Sequence, residues 1–409
     1  MEKLKREIIK IAEKAKSASM ELALLPSSVK NNALLKMADA LIKGKPVILK
    51  ANQKDISLAK KAGLSPALID RLTLNDKRIE SMADSLKAVA SLDDPVGKTL
   101  DSWQRPNGLI IRKVSVPIGV IAIIYESRPN VTSDSIGLCL KSGNCAILRG
   151  GKESLNSNIA VFRILEKAAY ECGIPKGSVN LIAVKDRAAI KIIVEMQGLI
   201  DLVMPRGGES LIKEITKFAK VPVIKHYKGV CHIYVDKAAG LKMAEEVCFN
   251  AKVERPGVCN AMEAMLVHKD VAKQFLPLMI KRFEGAGVKI LGLKSTEAID
   301  WSREYLDLIL AVKVVENLNA AIKHINKYGS MHSDSIITED KAAAKIFLET
   351  VDSSCVYVNT STRFTDGVEF GFGAEIGIST EKLHARGPMG LKELTTYKYH
   401  IIGSGQVRK

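Results

Sequence analysis

The sequence predicts an α/β protein with two doubly wound α/β domains and a small β arm suited to oligomerisation. Three observations carry this. From residue 120 onward, short apolar runs of strand length alternate with helical patterns, as parallel sheets with crossover helices require. Two of the strand-to-helix turns read Arg149-Gly150-Gly151 and Arg206-Gly207-Gly208. Two further β-like runs, at residues 109–116 and 394–402, flank the series.

Taken in order, residues 1–90 read as helical. Leu4, Ile8, Ile11 and Ala15 recur on one face, with Lys and Glu between them. Pro26-Ser27-Ser28 breaks the chain and offers a cap to the next helix, which carries Leu34, Leu35, Met37, Ala38 and Leu41. Helices follow around residues 48–62 and 66–92, and Asp93-Asp94-Pro95-Val96-Gly97 ends the region. Residues 109–116 are β-like and Pro117-Ile118-Gly119 interrupts them. Residues 120–125, Val-Ile-Ala-Ile-Ile-Tyr, are apolar throughout and predict a strand buried on both faces. It ends in the polar loop Glu126-Ser127-Arg128-Pro129-Asn130, where open α/β sheets place their sites.

Strands are then expected at 145–148, 179–184, 199–204 and 221–224, with helices ending near 170, spanning 186–197 and ending near 219. Glycine in the two Arg-Gly-Gly turns lets the backbone approach a phosphate, and each following helix presents its positive end. Neither turn is GxGxxG. Each alone is equally a simple tight turn, but two on one sheet favour a nucleotide. A second series begins at residues 232–235. Its expected strands are 264–267, 288–291, 335–337 and 354–358, with 306–315 either a strand pair or a strand with its entry loop, and its helices 239–251, 271–285, 318–327 and 341–350. Residues 363–390 form a polar, Gly-rich loop of a length usually tied to function. The tail strand at 394–402 could pair with 109–116 or with another subunit.

Composition narrows the function. The net charge is +16, yet Lys and Arg are interleaved with Glu and Asp along the whole chain, and aromatics are only 5%. That suits small anionic substrates better than nucleic acid. A non-enzymatic nucleotide-responsive or nucleic-acid-binding protein is the alternative that the charge leaves open. The seven Cys are scattered without a CxxC pair, which points to a reducing, cytoplasmic setting. The charged start is no signal peptide, and no apolar run approaches the roughly 18 residues of a membrane helix, so neither membrane nor nucleic acid is an expected partner.

The spacings of His226, His232, Cys231, His332 and Asp334 match no zinc motif, so no metal is expected. There is no GxSxG elbow for serine chemistry. What remains is Cys259. Pro256-Gly257 places it just ahead of a helical-looking run, whose positive end would favour the thiolate. The competing reading is an inert core thiol. A thiolate that attacks an acyl carbon creates an oxyanion, and Asn130 offers a neutral amide donor on its strand-end loop, unless it is only a turn residue.

Four stretches together resemble the aldehyde dehydrogenase superfamily: Pro117 to Asn130, Leu148 to Lys152, Arg255 to Asn260 and Glu304 to Leu308. Residues Ala321 to Ile336, Ser361 to Gly367, Phe370 to Thr380 and His384 to Pro388 resemble its glutamyl-phosphate-reducing branch. The resemblance implies Cys259 as nucleophile, with Asn130 and the Cys259 N–H as oxyanion hole. It implies NADP along Arg149, Lys152, Gly207 and Gly208, with Glu304 at the nicotinamide ribose. It further implies NADPH-dependent reduction of L-glutamyl 5-phosphate to L-glutamate 5-semialdehyde through a cysteine thioester, the second step of proline biosynthesis, with functional coupling to a glutamate 5-kinase. The alternative is a related acyl-phosphate or aldehyde dehydrogenase acting on another small acid. Residues 1–230, completed by about 365–390, would be the NADP-binding domain and 231–364 the catalytic one. Residues 104–118 with 391–409 would form the arm of a homodimer or homotetramer. Arg128, Arg255, Arg363 and Arg386 are either substrate-anion contacts or structural ion pairs. Hydrolytic members of the superfamily carry a Glu that activates water. Here that stretch reads Val-Ile-Lys-His-Tyr-Lys-Gly over residues 223–229, without a carboxylate, which suits a reductase.

Overall fold

The computed structural model describes residues 2–293 and 299–408. The chain divides into two compact units, one of Met1–Lys225, Gly371–Gly377 and Met389–Lys409, the other of His226–Phe370 and Ile378–Pro388.

The first unit opens with the helices Glu2–Leu22, Ser27–Lys43, Lys45–Lys61, Pro66–Leu72 and Asp76–Ser91. Ile8, Ala12, Ala15 and Leu22 form the buried stripe of the first. The single helix expected over 66–92 is two, because Thr73 turns extended after Leu72. Asn75 then caps the next helix by accepting from the Arg78 N–H at 2.8 Å, and the buried Asn52 takes the Leu74 N–H at 2.8 Å. Side-chain hydrogen bonds of this kind compete with helix continuation.

The strand Val120–Tyr125 is the centre of this unit and every residue of it is buried. Each of its isoleucines stabilises the sheet by roughly 1.5–3 kcal/mol through burial. It pairs in parallel with Cys145–Gly150 on one side and Leu202–Arg206 on the other, and Val179–Leu181 lies beyond Cys145–Gly150. The register sets Tyr125 opposite both Gly150 and Arg206, so three turns leave the same carboxyl edge. The strand expected at 221–224 is reduced to one bridge, Val203 to Val223. Pro222 has no N–H to donate, and the N–H groups of Lys220 and Val221 go to the Val194 carbonyl instead.

A separate antiparallel sheet joins Thr99–Gln104, Ile110–Pro117 and Thr395–Ile402. The tail strand therefore pairs with the earlier β-like run in its own chain. Thr99–Gln104 was not expected as a strand. All six of its residues are exposed, so it carries no burial pattern to read.

The second unit holds a six-stranded parallel sheet, in the order Cys355–Val358, Ser333–Ile337, Cys231–Val235, Met262–His268, Ile309–Val315, Lys289–Leu291. One face packs Met265, Met279 and Phe283, the other Tyr234, Leu266, Ile336 and Phe347. The helical-looking start after Cys259 runs directly into the strand expected at 264–267, which here spans Met262–His268. Met262-Glu263-Ala264-Met265-Leu266 are good helix formers, but they lie in the middle of this sheet, where burial on both faces overrides propensity. No described helix of the chain is long and apolar enough to cross a membrane.

Candidate active site

In the second unit the chemistry gathers at the amino edge of the sheet. The Ala261 N–H donates to the Val258 carbonyl at 3.1 Å, closing a turn that leaves Cys259 half-buried. The Cys259 Sγ, one ring nitrogen of His226 and one of His332 all lie within 4.8 Å of one another. His226 precedes the strand Cys231–Val235, Cys259 precedes Met262–His268, and His332 precedes Ser333–Ile337. These strands are parallel neighbours, so their entry segments share one edge and three sequence-distant side chains meet.

Both rings are held by their Nδ1 atoms. That of His226 donates to the Ile378 carbonyl at 2.9 Å, which fixes the proton there. That of His332 meets Ser333 Oγ at 2.8 Å, and Ser333 Oγ continues to Thr365 Oγ1 at 2.6 Å. The imidazoles stand edge to face, 5.5 Å apart. Burial works against ionisation of the Cys259 thiol. The charge of His332, with the nearby His226 imidazole, outweighs it and holds the thiol well below its ordinary value. The thiolate is thus favoured by two imidazoles and not by a helix end.

The Cys259 backbone is equally constrained. Its carbonyl accepts the Cys231 thiol at 3.2 Å. Burial first, then the Asp334 charge, keeps Cys231 well above the usual thiol range, so it stays a donor. Gly229 packs so close that an added Cβ would overlap the Cys259 carbonyl oxygen. Its N–H donates to Glu304 Oε1 at 2.8 Å, and burial pushes that carboxyl up. The next residue, Asn260, donates to the carbonyls of Arg363 (3.2 Å) and Thr365 (2.9 Å). Arg363 pairs with Glu254 at 2.6 Å and also reaches Asn260 Oδ1, so it braces the Cys259 turn. Arg386 pairs with Asp352 at 3.0 Å. Arg255 is exposed.

In the first unit the sequence-marked turns sit together at the carboxyl edge of its sheet. Gly207 and Gly208 are exposed ahead of the helix Glu209–Phe218, and the Gly208 N–H donates to Glu126 Oε2 at 3.0 Å. Lys152 is exposed just before the helix Leu155–Glu171. Arg149 is buried. Its guanidinium reaches the Lys185 and Asp186 carbonyls at 3.5 and 3.4 Å, and its Nε has no hydrogen-bond partner among the described residues. Asn130 is the first residue of the helix Asn130–Lys141 and donates to Asp134 Oδ2 at 3.0 Å. Arg128, in the loop before it, is half-buried.

Sequence reasoning weighed His226 and His332 only as members of metal spacings and missed them as partners of the thiol. One signal lay in the stretch at 223–229. It lacks the carboxylate of the hydrolytic enzymes, but it does carry His226.

The chain matches the aldehyde dehydrogenase family over residues 2–290. It is 57% identical over 408 residues to a gamma-glutamyl phosphate reductase of Caldanaerobacter subterraneus, covering 97% of this chain and 99% of the relative. The crystal structure of gamma-glutamyl phosphate reductase from Thermotoga maritima superposes with a TM-score of 0.95 at 46% identity, covering 98% of this chain and 100% of that one. An acetylating aldehyde dehydrogenase from Geobacillus thermoglucosidasius, 17% identical, shares the fold with a TM-score of 0.72, covering 100% of this chain and 98% of that one.

Proposed function

This chain belongs to the gamma-glutamyl phosphate reductases of the aldehyde dehydrogenase family, and from that premise we propose that it reduces L-glutamyl 5-phosphate to L-glutamate 5-semialdehyde by way of a Cys259 thioester. It is an oxidoreductase. The observation that carries the mechanism is the convergence of Cys259, His226 and His332 within 4.8 Å.

The Cys259 thiolate attacks the acyl carbon, the C–O bond to phosphate breaks, and inorganic phosphate leaves. The tetrahedral oxyanion needs donors, and the Cys259 N–H with the Asn130 amide is the proposed pair. Phosphate is a good leaving group, so no strong acid is required there. Reduction of the thioester gives a hemithioacetal alkoxide. The alkoxide re-forms its C=O bond, the C–S bond breaks, and the aldehyde leaves with the Cys259 thiolate restored beside the His226 and His332 imidazoles. No carboxylate adjoins the thiol to activate water in the stretch at 223–229, which protects the thioester from hydrolysis.

The first unit fits a dinucleotide phosphate. Gly208 has open space where a side chain would stand, Lys152 offers an exposed ammonium, and Arg149 keeps a buried, unpartnered Nε. Arg149, Lys152, Gly207 and Gly208 would hold NADPH, with Glu304 at its ribose, and the bound cofactor would supply the hydride. A route from glutamate to proline is the setting proposed for the reaction, with a glutamate 5-kinase supplying the acyl phosphate.

The test runs the reaction backward. The semialdehyde, phosphate and NADP+ should give phosphate-dependent NADPH formation, and Cys259→Ala should lower it by about 10⁴-fold or more while leaving NADP+ binding intact. Activity of Cys259→Ala near wild type would sink the mechanism. A substrate panel of related semialdehydes separates this reading from a dehydrogenase of another small acid.

A further inference from the structure

Cys259, His226 and His332 also make a coordination set. One sulfur and two imidazole nitrogens lie within 4.8 Å of one another. Tetrahedral zinc, with bonds of about 2.3 Å to sulfur and about 2.0 Å to nitrogen, needs neighbouring ligand atoms roughly 3.3–3.8 Å apart. Side-chain rotation of about an ångström closes that difference. The support around the rings is of the kind that zinc ligands use. His226 already donates its Nδ1–H to the Ile378 carbonyl, which leaves Nε2 as its electron-pair donor. His332 is held through Nδ1 by Ser333 and Thr365, while its buried Nε2 has no hydrogen-bond partner among the described residues. An unsatisfied buried nitrogen on one of the three clustered side chains is the second, independent sign of a ligand.

We propose that Cys259, His226 and His332 form a reversible inhibitory site for a borderline-soft divalent cation of the Zn2+ class. Thiolate and imidazole together select such ions over Mg2+ or Ca2+. Three protein ligands leave a fourth corner for water or a substrate oxygen. The ion takes the same sulfur electron pair that must attack the acyl carbon, so bound metal and bound acyl group exclude each other. Sulfur is neither oxidised nor reduced, and binding releases whatever protons the thiol and the two ligating imidazole nitrogens still carry. Binding stands on the geometry alone. Only the inhibition rests on the proposed function.

Two readouts on the metal-free full-length chain test this without substrate. In competition with a chromophoric zinc chelator, the wild type should take up one Zn2+ per chain. Cys259→Ala and His332→Asn should each weaken it by about 100-fold, and Ser333→Ala, which loosens the second ring, by about tenfold. Zn2+ should also protect wild-type Cys259 from iodoacetamide, with EDTA restoring the reaction, a measurement that needs no variant to fold. Unchanged zinc affinity in Cys259→Ala, or full alkylation under saturating Zn2+, would overturn the site. A chain that binds zinc but never reduces glutamyl phosphate breaks the proposed function alone. One that turns over and ignores zinc breaks this inference alone.

Discussion

The two units each present a parallel sheet, and they use opposite edges of it. In the first, the turns after Tyr125, Gly150 and Arg206 leave the carboxyl edge, where open α/β sheets ordinarily place their ligands. In the second, His226, Cys259 and His332 lie ahead of their strands, at the amino edge. The proposed carboxyl-edge site rests largely on backbone, with glycines, N–H groups and helix starts each read from one short turn. The amino-edge site is made of side chains from three separate entry segments. A site of the first kind should tolerate single side-chain changes, whereas one of the second kind should not.

The sharpest way to break that contrast is His332→Asn. The variant keeps a polar side chain but loses the charge that does most to favour the Cys259 thiolate. Turnover should fall by about 10²–10⁴-fold with NADP+ binding unchanged. The pH dependence has a definite sign. The Cys259 thiol is held well below its ordinary value, so the thiolate persists to lower pH than in a free thiol and is lost as pH falls through the lowered value. Without the His332 charge the inflection of iodoacetamide alkylation should move up toward about 8.5, the usual thiol value. An inflection that stays put would show that the imidazoles do not set the nucleophile.

Gly229→Ala probes the same edge through the backbone. Its methyl would press on the Cys259 carbonyl and displace the thiol from its two rings. Displacement by an ångström costs about 10²-fold in rate. The loss should appear in kcat and in the alkylation rate together, while NADP+ affinity stays at the wild-type level. A variant at full activity would mean that the Cys259 turn has slack that the packing does not suggest.

The contrast also explains what the sequence made legible. The strand Val120–Tyr125 and both Arg-Gly-Gly turns read directly, because an all-apolar run and a glycine turn are local signals. So do most helices, whose apolar stripes repeat within one turn. The strand at 264–267 was legible, but the residues just ahead of it misled, because alanine, methionine and glutamate favour a helix, and the neighbours Cys231–Val235 and Ile309–Val315 draw Met262 and Glu263 into the strand. The thiol–imidazole cluster was illegible for the same reason. His226 and His332 carry no spacing relative to Cys259, and only strand order brings them to one edge. Thr99–Gln104 escaped because an exposed strand on a small sheet has no buried face to alternate.

The smallest expected effect has the opposite sign and belongs to the carboxyl edge. Glu126 accepts the Gly208 N–H at 3.0 Å, at the start of the helix where the cofactor phosphate is proposed to bind. Its carboxylate therefore both occupies a donor and repels an incoming anion. Glu126→Gln keeps an oxygen that can accept from Gly208 and removes the charge. For a partly exposed pair of like charges the gain is small, about 0.2–1 kcal/mol, or up to roughly fivefold tighter NADP+ binding. It should shrink with added salt, because the repulsion is screened over about 10 Å at 0.1 M. Fluorescence titration of NADPH at two ionic strengths measures it. Weaker binding in the variant would mean that Glu126 organises the turn more than it opposes the phosphate, and that the carboxyl-edge site depends on its side chains after all.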